Sequence, residues 1–132
     1  MDPQRLNQIP LFSSLPEKQL KLAAGLADEV QVSEGQHLVD EGKFAHEFFV
    51  IEEGKADVVH DGKTVATLES GDFFGEIALI KTERRTASVI AKTPMKLIVI
   101  FGPNFRSLAA DLPAVQEKIN AAVEKRIEEL GM

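Results

Sequence analysis

The chain contains no cysteine, and that absence removes disulfides, iron–sulfur clusters, thiolate zinc and a Cys nucleophile together. It lacks a long apolar run: stretches such as Leu97 to Phe101 are far shorter than the roughly 20 residues a membrane-spanning helix needs. No apolar h-region follows Met1-Asp2-Pro3-Gln4-Arg5, so this opening is not read as a signal peptide. Basic residues are the scarcer charge. Fifteen Lys and Arg stand against 21 Asp and Glu, a net charge of −6. Binding to a phosphate backbone needs a dense cationic surface, so nucleic acid is not expected as a partner. No nucleophile elbow accompanies the serines. His37, His46 and His60 are at least nine residues apart, without the close His-x-His pair of cupin metalloenzymes, so no metal site is expected.

What is present suits one folded domain. The length of 132 residues allows roughly two-thirds of the unfolded chain's surface to be buried. Hydrophobic residues at 44% and charged residues at 27% exclude extensive disorder. A soluble, cytoplasmic protein of one domain, residues 1–132, is expected.

Three textures follow one another. Over residues 1–28, Leu6, Ile9, Leu11, Phe12, Leu15, Leu20, Leu22, Ala23 and Leu26 are interrupted by Pro10 and Pro16, which predicts short helices rather than one long one. Pro16 suits a first helical turn, with Ser14 as candidate cap and Glu17 at the positive end of the dipole. Over residues 29–101 come seven strand-like runs: Glu29–Val32, Gln36–Asp40, Glu47–Ile51, Lys55–His60, Thr64–Leu68, Thr86–Ala91 and Lys96–Phe101. Glycines separate them, as in an antiparallel sandwich or barrel. Asp61-Gly62 predicts a tight hairpin. Over residues 103–131 the pattern is helical again. Asn104 to Ala110 forms a short helix and Pro113 starts a longer one, in which Ile119, Val123, Ile127 and Leu130 share a face.

The chemistry is concentrated in residues 71–89. Gly71-Asp72-Phe73-Phe74-Gly75 leads into Glu76-Ile77-Ala78-Leu79-Ile80, long enough for one helical turn whose free N–H groups suit an anion. Nine residues beyond Glu76 stands Arg85, whose planar fork can hold two phosphate oxygens at once. A carboxylate beside an anion site makes sense if the ligand carries a hydroxyl near its phosphate, as a ribose does.

Phe74-Gly75-Glu76-Ile77-Ala78-Leu79-Ile80 followed by Arg85-Thr86-Ala87-Ser88-Val89 resembles the phosphate-binding cassette of cyclic nucleotide-binding domains. Phe48-Phe49-Val50-Ile51-Glu52-Glu53-Gly54 is similar to that family's strand–glycine turn. The resemblance implies a mainly β fold: an eight-stranded antiparallel jelly-roll barrel with N-terminal and C-terminal α-helices. It implies that Glu76 accepts from the ribose 2′-hydroxyl and that Arg85 pairs with the cyclic phosphate. Backbone amides of Gly75, Ile77, Ala78 and Thr86 supply further donors, and Leu68 packs on the purine. Arg84 stands where the family often has Pro. Thr86 resembles members that bind cyclic GMP, whereas selectors of cyclic AMP often carry Ala there. The family's closing helices imply a lid built from Ile119, Val123 and Ile127, with Arg126 as an alternative stacked on the base.

The function implied is a non-enzymatic sensor. It takes cyclic AMP, with cyclic GMP as competitor, requires no cofactor, and signals through its C-terminal helices to a partner protein or fused effector. No effector follows Leu130, so the output is expected to lie in another protein or another domain. Two alternatives stay open. One is a dimerisation or structural module that keeps the fold and binds no nucleotide, with the C-terminal helix as a homodimer contact. The other is a cupin-type metalloenzyme.

Overall fold

A computed structural model describes residues 1–44, 46–75, 85 and 87–130, apart from the side chains of 109, 123 and 126–130. Two short helices come first, α1 (Pro3–Leu6) and α2 (Glu17–Leu26). Eight strands follow: β1 (Ala27–Val32), β2 (His37–Val39), β3 (Glu47–Glu53), β4 (Ala56–His60), β5 (Lys63–Leu68), β6 (Phe73–Phe74), β7 (Ser88–Ala91) and β8 (Met95–Phe101). Helices α3 (Gly102–Asp111) and α4 (Pro113–Leu130) close the chain. The strands form two four-stranded antiparallel sheets, in the orders β1-β8-β3-β6 and β2-β7-β4-β5.

The sequence pattern shows seven runs, and the eighth strand is β6. Two residues are too few to display any alternation, and β6 exists because Phe73 and Phe74 pair with Val50 and Phe49 across the sheet. The hairpin lies where Asp61-Gly62 places it. Both residues adopt left-handed backbone, φ 52° and 76°, and His60 pairs with Lys63 across them. Ser14 does not cap α2. The helix opens on Pro16, whose carbonyl accepts from the N–H groups of Gln19 and Leu20, each at 3.0 Å, while the Ser14 hydroxyl accepts from Lys118 Nζ at 3.4 Å. Helix α1 is not visible as apolar periodicity; it is set by the Asp2 carboxylate, which accepts from Gln4 N–H at 2.9 Å, and by Pro3 in its first turn.

Strands β3 and β8 are apolar at consecutive positions because both of their faces are covered. Successive side chains point to opposite faces. Phe48 and Val50 of β3, with Ile98 and Ile100 of β8, pack under the helices against Leu6, Phe12, Leu20, Phe105, Leu112, Val115 and Ile119. Phe49 and Ile51, with Met95, Leu97 and Val99, turn inward and meet Ala56, Val89 and Ala91 of the second sheet. The sandwich and the helical layer are therefore two cores sharing one pair of strands.

Phe48 joins three elements. Its ring stacks on Phe105 of α3 with centroids 4.3 Å apart, and meets Phe73 of β6 at 5.7 Å. At the opposite end of the sheet, Arg5 reaches Glu29 of β1 and Glu52 of β3, donating from Nε to Glu52 Oε2 at 3.0 Å. Hydrogen bonding to Glu52 raises the Arg5 pKa. Among the described residues, no helix is long and apolar enough to cross a membrane.

Truncating a fully buried ring forfeits both transfer energy and packing. Phe48→Ala is expected to lower unfolding stability by about 3–5 kcal/mol. Leu22→Ala, at a half-exposed position of α2, is expected to stay within about 0.5 kcal/mol of the parent. Urea midpoints of the two variants check the contrast.

Candidate functional site

The two sheets bring Gly75, which follows β6, next to Arg85, which precedes β7. The ladder between β2 and β7 ends at Val39 opposite Val89. Beyond it the two chains continue side by side: Gly42 N–H donates to Arg85 O at 2.9 Å, and Arg85 N–H donates to Lys43 O at 2.7 Å. The Arg85 backbone is thus held as an extension of the barrel wall.

Arg85 is 7% exposed, and among the described residues it is the only charged residue that is buried. Burying a guanidinium is costly unless its donors are satisfied. Nη1 donates to Gly75 O at 2.7 Å and Nη2 to Glu47 O at 2.5 Å. Two carbonyls fix the plane of the fork. A planar cation so oriented can receive two oxygens of an anion at once.

Gly75 has to be glycine for two reasons. Its φ is +93°, and a Cβ there would stand 2.6 Å from Arg85 Nη1 and 3.0 Å from the Glu47 carbonyl oxygen. Leu68 ends β5 half-buried, packed against the barrel core that includes Phe74. Phe74 itself stacks on Phe49 with ring centroids 4.7 Å apart. The structure therefore brings together Gly75 and Arg85 at one end of the barrel and places Leu68 on its apolar lining. Glu76, Ile77, Ala78 and Thr86 lie outside the described residues, as does Arg84.

The proposed lid divides. Ile119 is fully buried, facing Leu6, Phe12 and Phe105 under the N-terminal helices, so in this arrangement it does not cover the barrel interior. The side chains of Val123, Arg126, Ile127 and Leu130 lie outside the described residues. His37 pairs with Asp40 at 2.8 Å and His60 with Glu41 at 2.9 Å. Among the described residues no three His, Cys, Asp or Glu side chains are grouped to hold a metal ion.

Two contributors are not named by their side chains: the Glu47 carbonyl and the Gly42-Lys43 backbone. Gly42 carries one signal, its left-handed φ of +84°, consistent with glycine as the residue that turns the loop toward Arg85. Glu47 carries none, since any residue offers the same carbonyl. A separate concavity of about 540 Å³, lined by Arg5, Glu29, Gln31, Glu52, Glu53 and Lys96, is a poor anion site because its cations are already paired with carboxylates.

Gly75→Ala is expected to destabilise the chain by more than about 1 kcal/mol, since it combines a disallowed φ with a collision at the guanidinium. The same change at Gly35, where φ is +84° but a Cβ meets nothing within 4 Å, is expected to cost less. Thermal melts of both variants give the comparison.

Comparison with known proteins bears on the same residues. The family model of the cyclic nucleotide-binding domain matches residues 29–111. The cAMP-dependent protein kinase regulatory subunit of Schizosaccharomyces pombe is 39% identical over 104 residues, covering 78% of this chain and 25% of the relative. The cGMP-dependent protein kinase egl-4 of Caenorhabditis elegans is 30% identical over 119 residues, 85% of this chain and 15% of the relative. The chain thus spans about a quarter or less of the length of these curated relatives. Among solved structures, the catabolite activator protein of Thermus thermophilus superposes with a TM-score of 0.79 at 26% identity, over 92% of this chain and 60% of that one. With the matched residues running from β1 to the end of α3 and including Gly75 and Arg85, the chain belongs to the cyclic nucleotide-binding domain family.

Proposed function

We propose that residues 1–132 act as one cytoplasmic sensor domain that binds cyclic AMP, with cyclic GMP as a competitor, and passes occupancy to a partner protein or fused effector. The observation that carries this reading is the buried Arg85, oriented by two backbone carbonyls at the mouth of the barrel. The cyclic phosphate meets the Arg85 fork. Glu76 accepts from the ribose 2′-hydroxyl, the amides of Gly75, Ile77, Ala78 and Thr86 complete the anion cradle, and Leu68 packs on the purine. The domain holds its ligand and transforms nothing.

Relatives dependent on cAMP and on cGMP both align with the chain, which supports a cyclic nucleotide and leaves the base to local contacts. Thr86 is the residue expected to tune that choice, its hydroxyl reaching the guanine 2-amino group.

Transmission starts at β6. Phe73 directly precedes Phe74 and Gly75, and it packs on Phe48, which stacks on Phe105 of α3. A shift of the cassette strand on ligand binding is felt by α3 through rings already in contact, because packed cores are bistable rather than continuously deformable. The downstream lid is assigned to the far half of α4, through Val123, Ile127 or Arg126, since Ile119 is committed to the helical core.

A thermal shift with each nucleotide tests binding. A ligand at 100 times its Kd is expected to add about 2.7 kcal/mol of stability. Arg85→Lys keeps the charge and loses the fork, and is expected to weaken binding by about 2–5 kcal/mol. Glu76→Ala is expected to cost about 1.5–3 kcal/mol, with 2′-deoxy cyclic AMP binding parent and variant alike. No shift at millimolar cyclic AMP or cyclic GMP would leave the chain a fold-retaining structural module.

A further inference from the structure

The β2–β3 loop holds the backbone of Arg85, and the β4–β5 hairpin holds that loop. Glu41 is the link. Its N–H donates to Ser88 Oγ at 2.9 Å, at the start of β7, and the next two residues make the backbone bonds to Arg85 already described. Its carboxylate turns to the hairpin tip. There Oε1 accepts from Asp61 N–H at 3.2 Å and lies 2.9 Å from His60 Nδ1. His60 Nε2 stands 3.9 Å from the Asp61 carboxylate, which sets the imidazole between two acids. The tip is a firm anchor: Asp61 and Gly62 form a tight two-residue turn, and Val59 is paired with Ser88 across the sheet.

We infer that Glu41 and His60 are positioning residues for Arg85, clasping the β2–β3 loop to the hairpin and so setting where the guanidinium meets its anion. The inference rests on the reading of Arg85 as the phosphate ligand. A recognition group must be held within about 0.5 Å of its productive position. The Arg85 side chain is tied to Gly75 and Glu47, but its backbone is tied to Gly42 and Lys43. A loop free to swing would carry the backbone away while the carbonyls hold the fork.

Imidazole is the side chain whose charge changes between pH 5 and 8. When His60 is protonated, its bond to Glu41 becomes an ion pair and the clasp tightens. Among the described residues, the charged groups around it are Glu41 and Asp61, Lys63 directly across the β4–β5 ladder, and, in and beside the adjoining loop, Lys43, Arg85 and Asp40, the last already paired with His37. Glu41 and Asp61 stand within 4 Å of the ring, so a proton on His60 also offsets negative charge near an anion site. Both effects favour the bound phosphate at lower pH.

The test is titration of cyclic AMP into the full chain between pH 5.5 and 8, with amide exchange at Gly42 and Arg85 measured without nucleotide. The parent is expected to bind at least roughly twofold more tightly at the acid end. Glu41→Gln and His60→Phe are expected to weaken binding about fivefold at pH 6, to flatten the profile, and to speed exchange at both amides. His60→Lys keeps a cation opposite Glu41 at every pH, so it is expected to restore affinity with a flat profile, and it decides the matter alone if His60→Phe does not fold. Variants that bind like the parent with the parent's pH slope overturn the clasp while the sensor reading stands. A parent that binds neither cyclic AMP nor cyclic GMP overturns the sensor reading, and the positioning role falls with it.

Discussion

Strands β3 and β8 are covered on both faces, and the placement of the site depends on this. One set of their side chains must satisfy the helices and the other the barrel, so a one-residue slip in register would exchange the two sets. Phe48 would then face the barrel and Phe49 the helices, leaving neither ring its partner. With the register set this way, β6 is pinned along β3 by Phe74 on Phe49, and Gly75 emerges beside the carbonyl of Glu47. The cradle for Arg85 is therefore a by-product of how two cores share one strand.

The charge balance makes the use of carbonyls significant. A chain with net charge −6 repels anions at long range, so an anion site has to be created locally. Two carbonyls orient Arg85 with good hydrogen-bond geometry, and a backbone carbonyl carries no formal charge of its own. A carboxylate in either place would hold the guanidinium more tightly and add a formal negative charge beside it. Glycine at position 75 keeps the arrangement close, since any side chain there would push the fork away.

The ring contact of Phe48 with Phe73 and Phe105 connects the Gly75 end of the barrel to α3. The first half of α4 is anchored independently: Val115 and Ile119 are buried under the N-terminal helices, and Lys118 Nζ donates to the Pro10 carbonyl. The first half of α4 is thereby held to the N-terminal segment.

Much of the architecture was legible in the chain. Asp61-Gly62 specified its turn because few residues tolerate two successive left-handed conformations, and Pro113 marked the start of α4 because proline suits a first helical turn and pushes the preceding Leu112 out of the helical region. The apolar runs of β3 and β8 were legible as strands, while their cover on both faces came from the fold. Gly75 and Arg85 stand out in the sequence through the motif they belong to, and the fold brings the two into contact. Other features were decided only by the tertiary structure. A two-residue strand such as β6 has no period to read, and Ser14 does not cap α2 because the helix opens at Pro16, two residues further on. The stripe containing Ile119 shows that one face of a helix is apolar, but not which apolar surface covers it. The carbonyls of Glu47 and Gly75 left no mark at all, because every residue carries the same backbone acceptor and only the folded chain selects which two reach Arg85.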